Sequence, residues 1–397
     1  MSDEGSAEVL ELDGLYEHLD RGGVATVNHP AVYAVAEGAV VAPARYAGRN
    51  GSEFVFETRF VDGEFRRTAL IDSKQSQSNR AEEGLLAARR AQGAAASIPV
   101  IEVLYDGREP LSDLSLPHRA FDAHVRFAAE DGVPVVGCQW YRDLRDATHA
   151  DLSPVFVVSP ATLAFGGWDS SRRSGQLRLR GLLVSELFGV VADGEDRLSR
   201  RSGARLDPLG QNIYVTLDEF DGLLEQQREY LSEKLVAKLE KELAAARKKG
   251  TETLSASELN LGGIPPSTET PFGVSVPEVR RARTFSLAGL RRLRFGGSGE
   301  EDIAGRGALL AMLLLGAAYA DADPDLRAYC DVSAPRARTL LDGEPVDVDL
   351  SIPACEEFLA YAIGRLPERL AWMGQTRRLV GAAALNRGAE DVADEQE

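Results

Sequence analysis

Residues 68–90 read TALIDSKQSQSNRAEEGLLAARR, and the change of pattern within this stretch decides the fold. Residues 68–71 are mostly apolar and typical of the end of a β-strand. Residues 72–80 are all polar, and residues 81–90 are rich in good helix formers. The stretch therefore predicts a strand that leads directly into a helix. Three residues can cap that helix: Ser76, Ser78 and Asn79.

On either side of this junction the chain alternates between strand-like and helix-like patterns. The predicted strands include Phe54–Phe60, Ile98–Tyr105 and Pro154–Ala164, and Asp62-Gly63 predicts a hairpin turn. The predicted helices are His118–Glu130, Leu177–Val191, a long helix at about 217–249, Glu301–Tyr319 and Cys355–Ala384. Separated strands and helices of this kind predict an α+β fold with large insertions.

Composition sets the broad class and the domain organisation. The 397 residues are 44% hydrophobic and 27% charged, which is typical of a soluble globular protein with a sizeable core. We expect an acidic N-terminal segment at residues 1–20 and a large body at 21–295, with a loop at about 250–275. A mainly helical C-terminal part at 296–386 and an acidic tail at 387–397 should follow.

Cysteine usage and the apolar stretches bear on the compartment. The chain has three cysteines that are far apart, so they suggest neither a disulfide framework nor a thiolate zinc site. The N-terminus does not resemble a signal peptide. Ile303–Ala320 is apolar but contains Arg306, which favours a buried helix over a membrane span. We therefore expect a cytoplasmic protein without membrane contact.

The formal charge of −17 argues at first against a polyanionic partner. Seven acids in residues 1–20 and five in residues 390–397 account for twelve of these charges, so that about −5 remains for the body. The basic residues are clustered: residues 172–206 hold eight Arg and four acids, and residues 278–294 hold six Arg and one acid. The alternative is an ordinary acidic protein with two solvated Arg-rich faces.

Motifs of catalysis are missing from the sequence. It contains no phosphate-binding GxxxxGK[ST] loop, no HExxH, no GxSxG and no EF-hand loop. His118 and His124 are six residues apart, which places them on different faces of a helix rather than on one metal. We predict no catalytic residue, no metal site and no cofactor.

Three polar stretches stand out as candidate RNA contacts. The first, at the strand–helix junction, combines amides, hydroxyls and two basic residues in a plausible anion cradle. The alternative for this stretch is an elaborate helix cap. Its candidate residues are Lys74, Gln75, Ser76, Gln77, Asn79 and Arg80.

The second stretch is a predicted helix on which Arg119 and Arg126 are seven residues apart and share one face, with His118 beside them. A solvated helix face is the alternative reading. The third stretch combines a Gly pair, an aromatic ring, hydroxyls and Arg, which suit a single-stranded RNA. Its alternative is a loop in which Trp168 is a packing residue. The candidates of this stretch are Trp168, Ser170, Arg172, Arg173, Arg178 and Arg180.

Together these stretches resemble the RAMP backbone subunit of type I-G (formerly I-U) CRISPR effector complexes. The resemblance rests on blocks that follow one another in order through residues 70–295. They are IDS at 71–73 with QSQ at 75–77 and NR at 79–80, PHR at 117–119 with DA at 122–123, FGGWDS at 165–170 with VSE at 184–186, GIPP at 263–266, and LAGLRRLRF at 287–295.

The resemblance implies a modified RRM-like, ferredoxin-type RAMP palm with large finger and thumb insertions, for which residues 172–212 and 250–275 are both eligible as the thumb. It also implies a non-catalytic subunit of Cascade that polymerises along the guide RNA (crRNA) and presents it to a target DNA strand. The implied partners are further copies of the chain, a large subunit, a Cas5/Cas6-like subunit and a helicase-nuclease. A cluster at Arg291, Arg292 and Arg294 is expected to contact either a neighbouring subunit or RNA.

Two other classes of function stay open at this point. One is a RAMP ribonuclease that cleaves target RNA through a loop aspartate, Asp72 or Asp169. The other is an acidic scaffold that binds no nucleic acid.

Overall fold

A computed structural model describes residues 8–37, 40–48, 51–170, 176–191, 198–200, 207–210, 212–263 and 271–386. The chain divides into two compact units. Unit 1 comprises Met1–Arg197 and Val274–Leu385, and unit 2 comprises Leu198–Gly273 and Asn386–Glu397. The predicted acidic tail at 387–397 lies outside the described residues.

The described residues form helices and strands in both units. The strands are β1 Glu8–Val9, β2 Thr26–Asn28, β3 Ala31–Ala34, β4 Arg45–Gly48, β5 Gly51–Phe54, β6 Phe56–Val61, β7 Glu64–Asp72, β8 Val100–Leu104, β9 Leu111–Ser112, β10 Ala129–Glu130, β11 Val133–Pro134, β12 Gly167–Trp168, β13 Arg178–Leu179, β14 Leu183–Val190, β15 Leu198–Arg200, β16 Tyr214–Thr216, β17 Thr253–Ser255, β18 Pro271–Val274, β19 Glu278–Ser286, β20 Arg336–Ala337, β21 Thr339–Leu341, β22 Glu344–Asp347 and β23 Thr376–Val380. The α-helices are α1 Lys74–Arg90, α2 Ala123–Arg126, α3 Gln139–Asp146, α4 Ser153–Phe156, α5 Pro160–Ala164, α6 Leu217–Gln227, α7 Glu233–Lys249, α8 Leu287–Leu290, α9 Gly299–Ala322 and α10 Ile352–Gly364.

The main sheet of unit 1 follows the order β1-β22-β21-β2-β19-β14-β7-β6, and β3 pairs with both β19 and β20. The β1–β22 pair is parallel, and the central pairs are antiparallel, with Phe188 opposite Arg280 on one side and Leu70 on the other. A mixture of helices with such a sheet confirms the predicted α+β class. A second sheet, in the order β11-β10-β23-β8-β9, lies in the same unit.

Helices α1 and α9 pack against each other in unit 1. Their backbones approach closely because two glycines face the contact: a Cβ on Gly84 would lie 2.6 Å from the Gly316 carbonyl oxygen, and one on Gly316 would lie 2.5 Å from that of Ala81. Helix α9 is long and apolar enough to cross a membrane, but most of it is buried inside the protein. This confirms the predicted buried helix.

A buried group of charged residues lies between β19 and the end of α9. The carboxylate of Asp321 accepts hydrogen bonds from Arg281 and from Arg283, the latter at 2.9 and 3.0 Å. Burial alone would raise the pKa of Asp321, but the two guanidinium charges hold it below its ordinary value. His29 contacts Thr339 at 3.1 Å in the same group. Burial, reinforced by the two guanidinium charges, lowers the pKa of His29 to about 3.

Unit 2 corrects the prediction of one long helix. The chain forms α6 and α7, which fold back on each other, since Arg247 near the end of α7 contacts Asp221 near the start of α6 at 2.8 Å. Ser232 caps the second helix by accepting a hydrogen bond from the Leu235 amide. The apolar residues that predicted a continuous face instead form the interior of this hairpin: Phe220, Leu224, Leu239 and Leu243.

Four other predicted elements differ from the structure. Residues 154–164 form α4 and α5 instead of a strand, and most of the predicted helix at 177–191 is strand β14. Only the four-residue α2 is α-helical within the predicted helix at 118–130, and the predicted helix at 355–384 ends at Gly364, with β23 beyond it. Short apolar runs fit a buried helix and a buried strand equally well, which is why the pattern misassigned them.

Candidate nucleic-acid interface

A groove of about 760 Å³ opens beside the first turns of α1. One wall is the helix itself, and the other walls come from the loop before Arg119 and from the chain around Arg180. The groove thus gathers side chains from all three polar stretches. Its lining residues are Lys74, Gln75, Ser78, Asn79, Glu82, Glu83, Leu114, Ser115, Leu116, Pro117, Arg119, Phe165, Arg180, Gly181, Leu183 and Val184.

The start of α1 explains why polar side chains face this groove. Ser73 caps the helix by accepting a hydrogen bond from the Ser76 amide at 3.2 Å, three residues earlier than the first predicted cap. The stretch that follows is therefore helical, and Lys74, Gln75 and Asn79 are exposed on its surface. The Lys74 side chain is 57% exposed and lies 3.9 Å from Glu186.

Other candidates in the same stretch are used inside the protein. The Gln77 side chain is buried, donates to Asp72 at 2.8 Å and accepts from Ser185 at 3.0 Å. Arg80 donates to Asp72 at 3.1 Å and to the Leu326 carbonyl at 2.7 Å. These two side chains fix the strand–helix junction, and Ser76 is half-buried within it.

Arg119 lies in the groove but is already paired. Its guanidinium donates to both carboxylate oxygens of Glu82, at 2.6 and 2.8 Å, and to the Gly166 carbonyl at 2.8 Å. Burial raises the pKa of Glu82, and the Arg119 charge and hydrogen bond act in the opposite direction. Arg119 therefore neutralises a buried acid. His118 is exposed beside it, and its backbone amide donates to Asp122 at 3.2 Å.

Arg180 reaches the groove from the opposite wall. Its side chain is exposed and donates to the Ser286 hydroxyl. Among the residues that the structure describes, three cationic and two acidic side chains line the groove, which gives a formal charge of +1. Arg119 and Glu82 offset each other, and Glu83 is the exposed acid. The other two cations are Arg180 and Lys74, of which Lys74 is 57% exposed and has only the 3.9 Å contact with Glu186.

Of the remaining candidates of the second and third stretches, those that the structure describes do not line the groove. Trp168 is 45% exposed, and the Arg178 guanidinium lies over its ring at 4.3 Å. Arg126 lies 3.9 Å from Asp169. Ser170 is exposed in a turn next to this pair. Arg172 and Arg173 lie outside the described residues.

Two of the three arginines at 291, 292 and 294 have partners within the protein. Arg291 donates to the carbonyls of His18 and Val24, at 2.7 Å each. Arg294 pairs with the buried Asp302 at 2.8 Å. Arg292 is exposed. Of the three, Arg292 is therefore the best placed to meet a subunit or RNA.

The two aspartates of the ribonuclease alternative are both buried. The Asp72 side chain is fully buried and accepts from Gln77, Arg80 and Arg327. Asp169 is 5% exposed. Among the described residues, no group of three or more His, Cys, Asp or Glu side chains is arranged to hold a metal ion.

The sequence prediction missed Glu82 and Val184 as lining residues. Glu82 lies seven residues after Gln75, and this spacing places both on one face of α1. The signal is therefore present in the sequence, although Glu82 is not among the predicted contacts. Val184 belongs to the VSE block at 184–186, but no polar or periodic pattern predicts its place beside the groove. Tertiary contacts position this strand residue, which is 46% exposed.

Comparison with known proteins indicates a CRISPR-associated protein family. The family model that matches is described as CRISPR-associated protein GSU0053, and it matches residues 30–193. This segment is less than half of the chain, but it contains every residue that lines the groove. A search of curated proteins gave no match.

Proposed function

We propose that this chain is the non-catalytic backbone subunit of a type I-G CRISPR surveillance complex and that it holds the guide RNA in the α1 groove. The observation that carries the proposal is the groove itself. It combines exposed amides with two available cations and lies wholly within the segment that matches a CRISPR-associated family. The protein would act in the cytoplasm.

The chemistry of the groove suits the backbone of a single strand. Lys74 and Arg180 supply charge for phosphates, and the amides of Gln75 and Asn79 can donate to ribose and phosphate oxygens. The described lining residues include no exposed ring that could stack on bases, so the groove is suited to backbone contacts. Sequence choice would then be left to pairing between the guide and its DNA target.

The finer architecture also belongs to the proposal. An antiparallel central sheet with the packed pair α1 and α9 supports an RRM-like palm, and large segments are inserted between its strands. Unit 2, inserted between β14 and β19, is our candidate for the thumb. The proposed partners are copies of the chain, a large subunit, a Cas5/Cas6-like subunit and a helicase-nuclease.

The salt dependence of RNA binding tests the groove. Full-length protein is titrated with single-stranded RNA of guide length over a range of KCl concentrations, and anisotropy gives Kd. The double variant Lys74→Gln/Arg180→Gln should bind more weakly, and its slope of log K against log salt should be smaller by about 1.4, at about 0.7 per phosphate contact.

Arg21→Gln/Arg90→Gln is the matched control, since it removes the same charge from two exposed residues away from the groove. Its slope should equal that of the wild type. Equal slopes in all three proteins, or equal losses in both double variants, would remove the groove from the proposal.

Incubation of the protein with complementary RNA and Mg²⁺ tests the ribonuclease alternative. We expect the RNA to stay intact. Cleavage that is lost in Asp169→Asn would favour the enzyme instead.

A further inference from the structure

The hairpin of β6 and β7 has two chemically different faces. The strands pair with Phe60 opposite Phe65 and Thr58 opposite Arg67, and residues alternate between the faces. Asp62 and Gly63 form the turn with φ of 53° and 83°, as expected for a type I′ turn. This confirms the turn predicted at Asp62-Gly63. β6 is the last strand of the main sheet.

One face of the hairpin carries exposed aromatic rings. Phe60 is 67% exposed and Phe65 is 78% exposed, and their rings meet edge to face at 5.4 Å. The Arg67 guanidinium is exposed and lies over the Phe56 ring at 4.5 Å. With Thr58 and the buried Ala69, these residues make up this face, which contains no acid. We call it the aromatic face.

The opposite face of the hairpin is ion-paired. Arg59 contacts Glu57 at 2.5 Å and Glu186 at 2.8 Å, and Arg66 contacts Glu64 at 3.3 Å. Charge on that face is therefore largely compensated within the protein, whereas Arg67 forms no ion pair with an acid in the part of the chain that the structure describes.

The tip of the hairpin is tied to the sheet. Arg280 of β19 contacts Asp62 at 2.7 Å and Glu278 at 2.5 Å. The hydrogen bond from Arg280 lowers the pKa of Asp62. Because this ion pair anchors the turn, the two rings are presented from a fixed support, which reduces the entropy lost when a ligand binds.

We propose that the aromatic face is a base-stacking platform for single-stranded nucleic acid, separate from the α1 groove. Two large exposed rings and a guanidinium are the groups that stack on unpaired bases and contact the phosphates between them. The positive charge of Arg67 matches a polyanion, and the face offers no exposed aliphatic side chain to an apolar protein surface. The inference rests on the hairpin alone and does not require the groove.

Ring removal tests the platform. Phe60→Leu/Phe65→Leu keeps apolar side chains at two exposed positions, so the fold should be retained, which circular dichroism checks. Affinity of the full-length chain for an oligoadenylate should fall at least about tenfold. Stacking of one base on an aromatic ring contributes about 1–3 kcal/mol, and about 1.4 kcal/mol corresponds to a tenfold change in Kd. The salt slope should stay unchanged, since no charge is lost.

Two further variants separate stacking from charge. Arg67→Gln should lower the salt slope by about 0.7, at one phosphate contact. Tyr230→Leu, which removes an exposed ring from unit 2 (77% exposed), is the matched control and should bind like the wild type.

The outcomes distinguish this inference from the groove. Affinity within twofold of the wild type in Phe60→Leu/Phe65→Leu overturns the platform, even where the Lys74/Arg180 variant still loses slope and supports the groove. A loss only in the ring variant supports the platform and removes the groove. Unchanged RNA affinity together with lost self-association would make the face a protein contact and would also overturn the inference.

Discussion

Replacing Asp72 by Asn should destabilise unit 1 strongly. The Asp72 carboxylate is fully buried and contacts Arg327 at 2.5 Å and Arg80 at 3.1 Å, and these two arginine side chains are 26% and 20% exposed. Asn keeps the shape of the side chain but removes the charge that both cations face. Breaking a buried ion pair from one side typically costs about 3–5 kcal/mol. Because the two arginines keep some contact with water, we expect about 2–4 kcal/mol.

Urea unfolding measures this loss. With a slope of about 3 kcal/mol per M for a unit of this size, the midpoint of the main transition should shift downward by about 1 M. Glu64→Gln is the control, because Glu64 and Arg66 form an exposed pair, 66% and 42% exposed, and such pairs contribute about 0–1 kcal/mol. Its midpoint should stay close to that of the wild type.

The Asp72→Asn variant also tests the ribonuclease alternative. If Asp72 is structural, the variant should be less stable than the wild type, and neither protein should cleave RNA. The reasoning is wrong if Asp72→Asn unfolds within about 0.5 kcal/mol of the wild type, or if it keeps its stability and abolishes an RNA cleavage that the wild type shows.

Three further predictions concern stability. The folded-state pKa of His29 (about 3) lies below its unfolded value of 6.5, so the folded chain binds fewer protons than the unfolded chain between these pH values. The free energy of unfolding therefore decreases as the pH is lowered. His29→Gln should therefore lose about 2 kcal/mol less than the wild type between pH 7 and pH 5 in urea titrations, and parallel pH profiles would contradict this. Gly84→Ala should destabilise by about 1–3 kcal/mol, because its Cβ would meet the Gly316 carbonyl oxygen at 2.6 Å. Gly222→Ala in α6, with open space around it, should stabilise by about 0.5–1 kcal/mol, and urea unfolding measures the change in both glycine variants.

Much of the fold follows from local sequence patterns. The switch from β7 to α1, the turn at Asp62-Gly63 and the buried helix α9 were predicted correctly, because each has a strong local signal. The predictions failed where an apolar run fits two structures, as in β14, or where a chain reversal leaves the helical period intact. The reversal between α6 and α7 is of that kind, since the same leucines serve a long helix and a hairpin interior.

The site was harder to predict, because the sequence shows which polar residues are present but not which of them already have hydrogen-bond or ion-pair partners within the protein. Arg80 and Gln77 have the chemistry of RNA contacts, yet Asp72 holds both. That carboxylate is itself fixed by Arg327, 255 residues further along the chain. Arg119 meets Glu82 in the same way. Whether a basic side chain is available therefore depends on tertiary partners that no local pattern reveals.

The difference between paired and available arginines changes how the charge clusters bear on RNA binding. Of the six arginines at 278–294, Arg281 and Arg283 are buried with Asp321, and Arg280, Arg291 and Arg294 also have partners within the protein. A count of arginines therefore overstates the charge available to a phosphate chain.

With two available cations in the groove, one copy should hold a single strand weakly and with a shallow salt dependence. On the proposed function, firm binding comes from repetition. Copies aligned on one guide bind as linked sites, so that modest contacts multiply into high avidity without a strongly basic surface. Salt also weakens the repulsion between the acidic terminal segments and the RNA, because at physiological ionic strength exposed charges are largely screened beyond about 8 Å. On the proposed function, a chain with a net charge of −17 can thus carry RNA, provided that the cations of the groove, Lys74 and Arg180, face the guide.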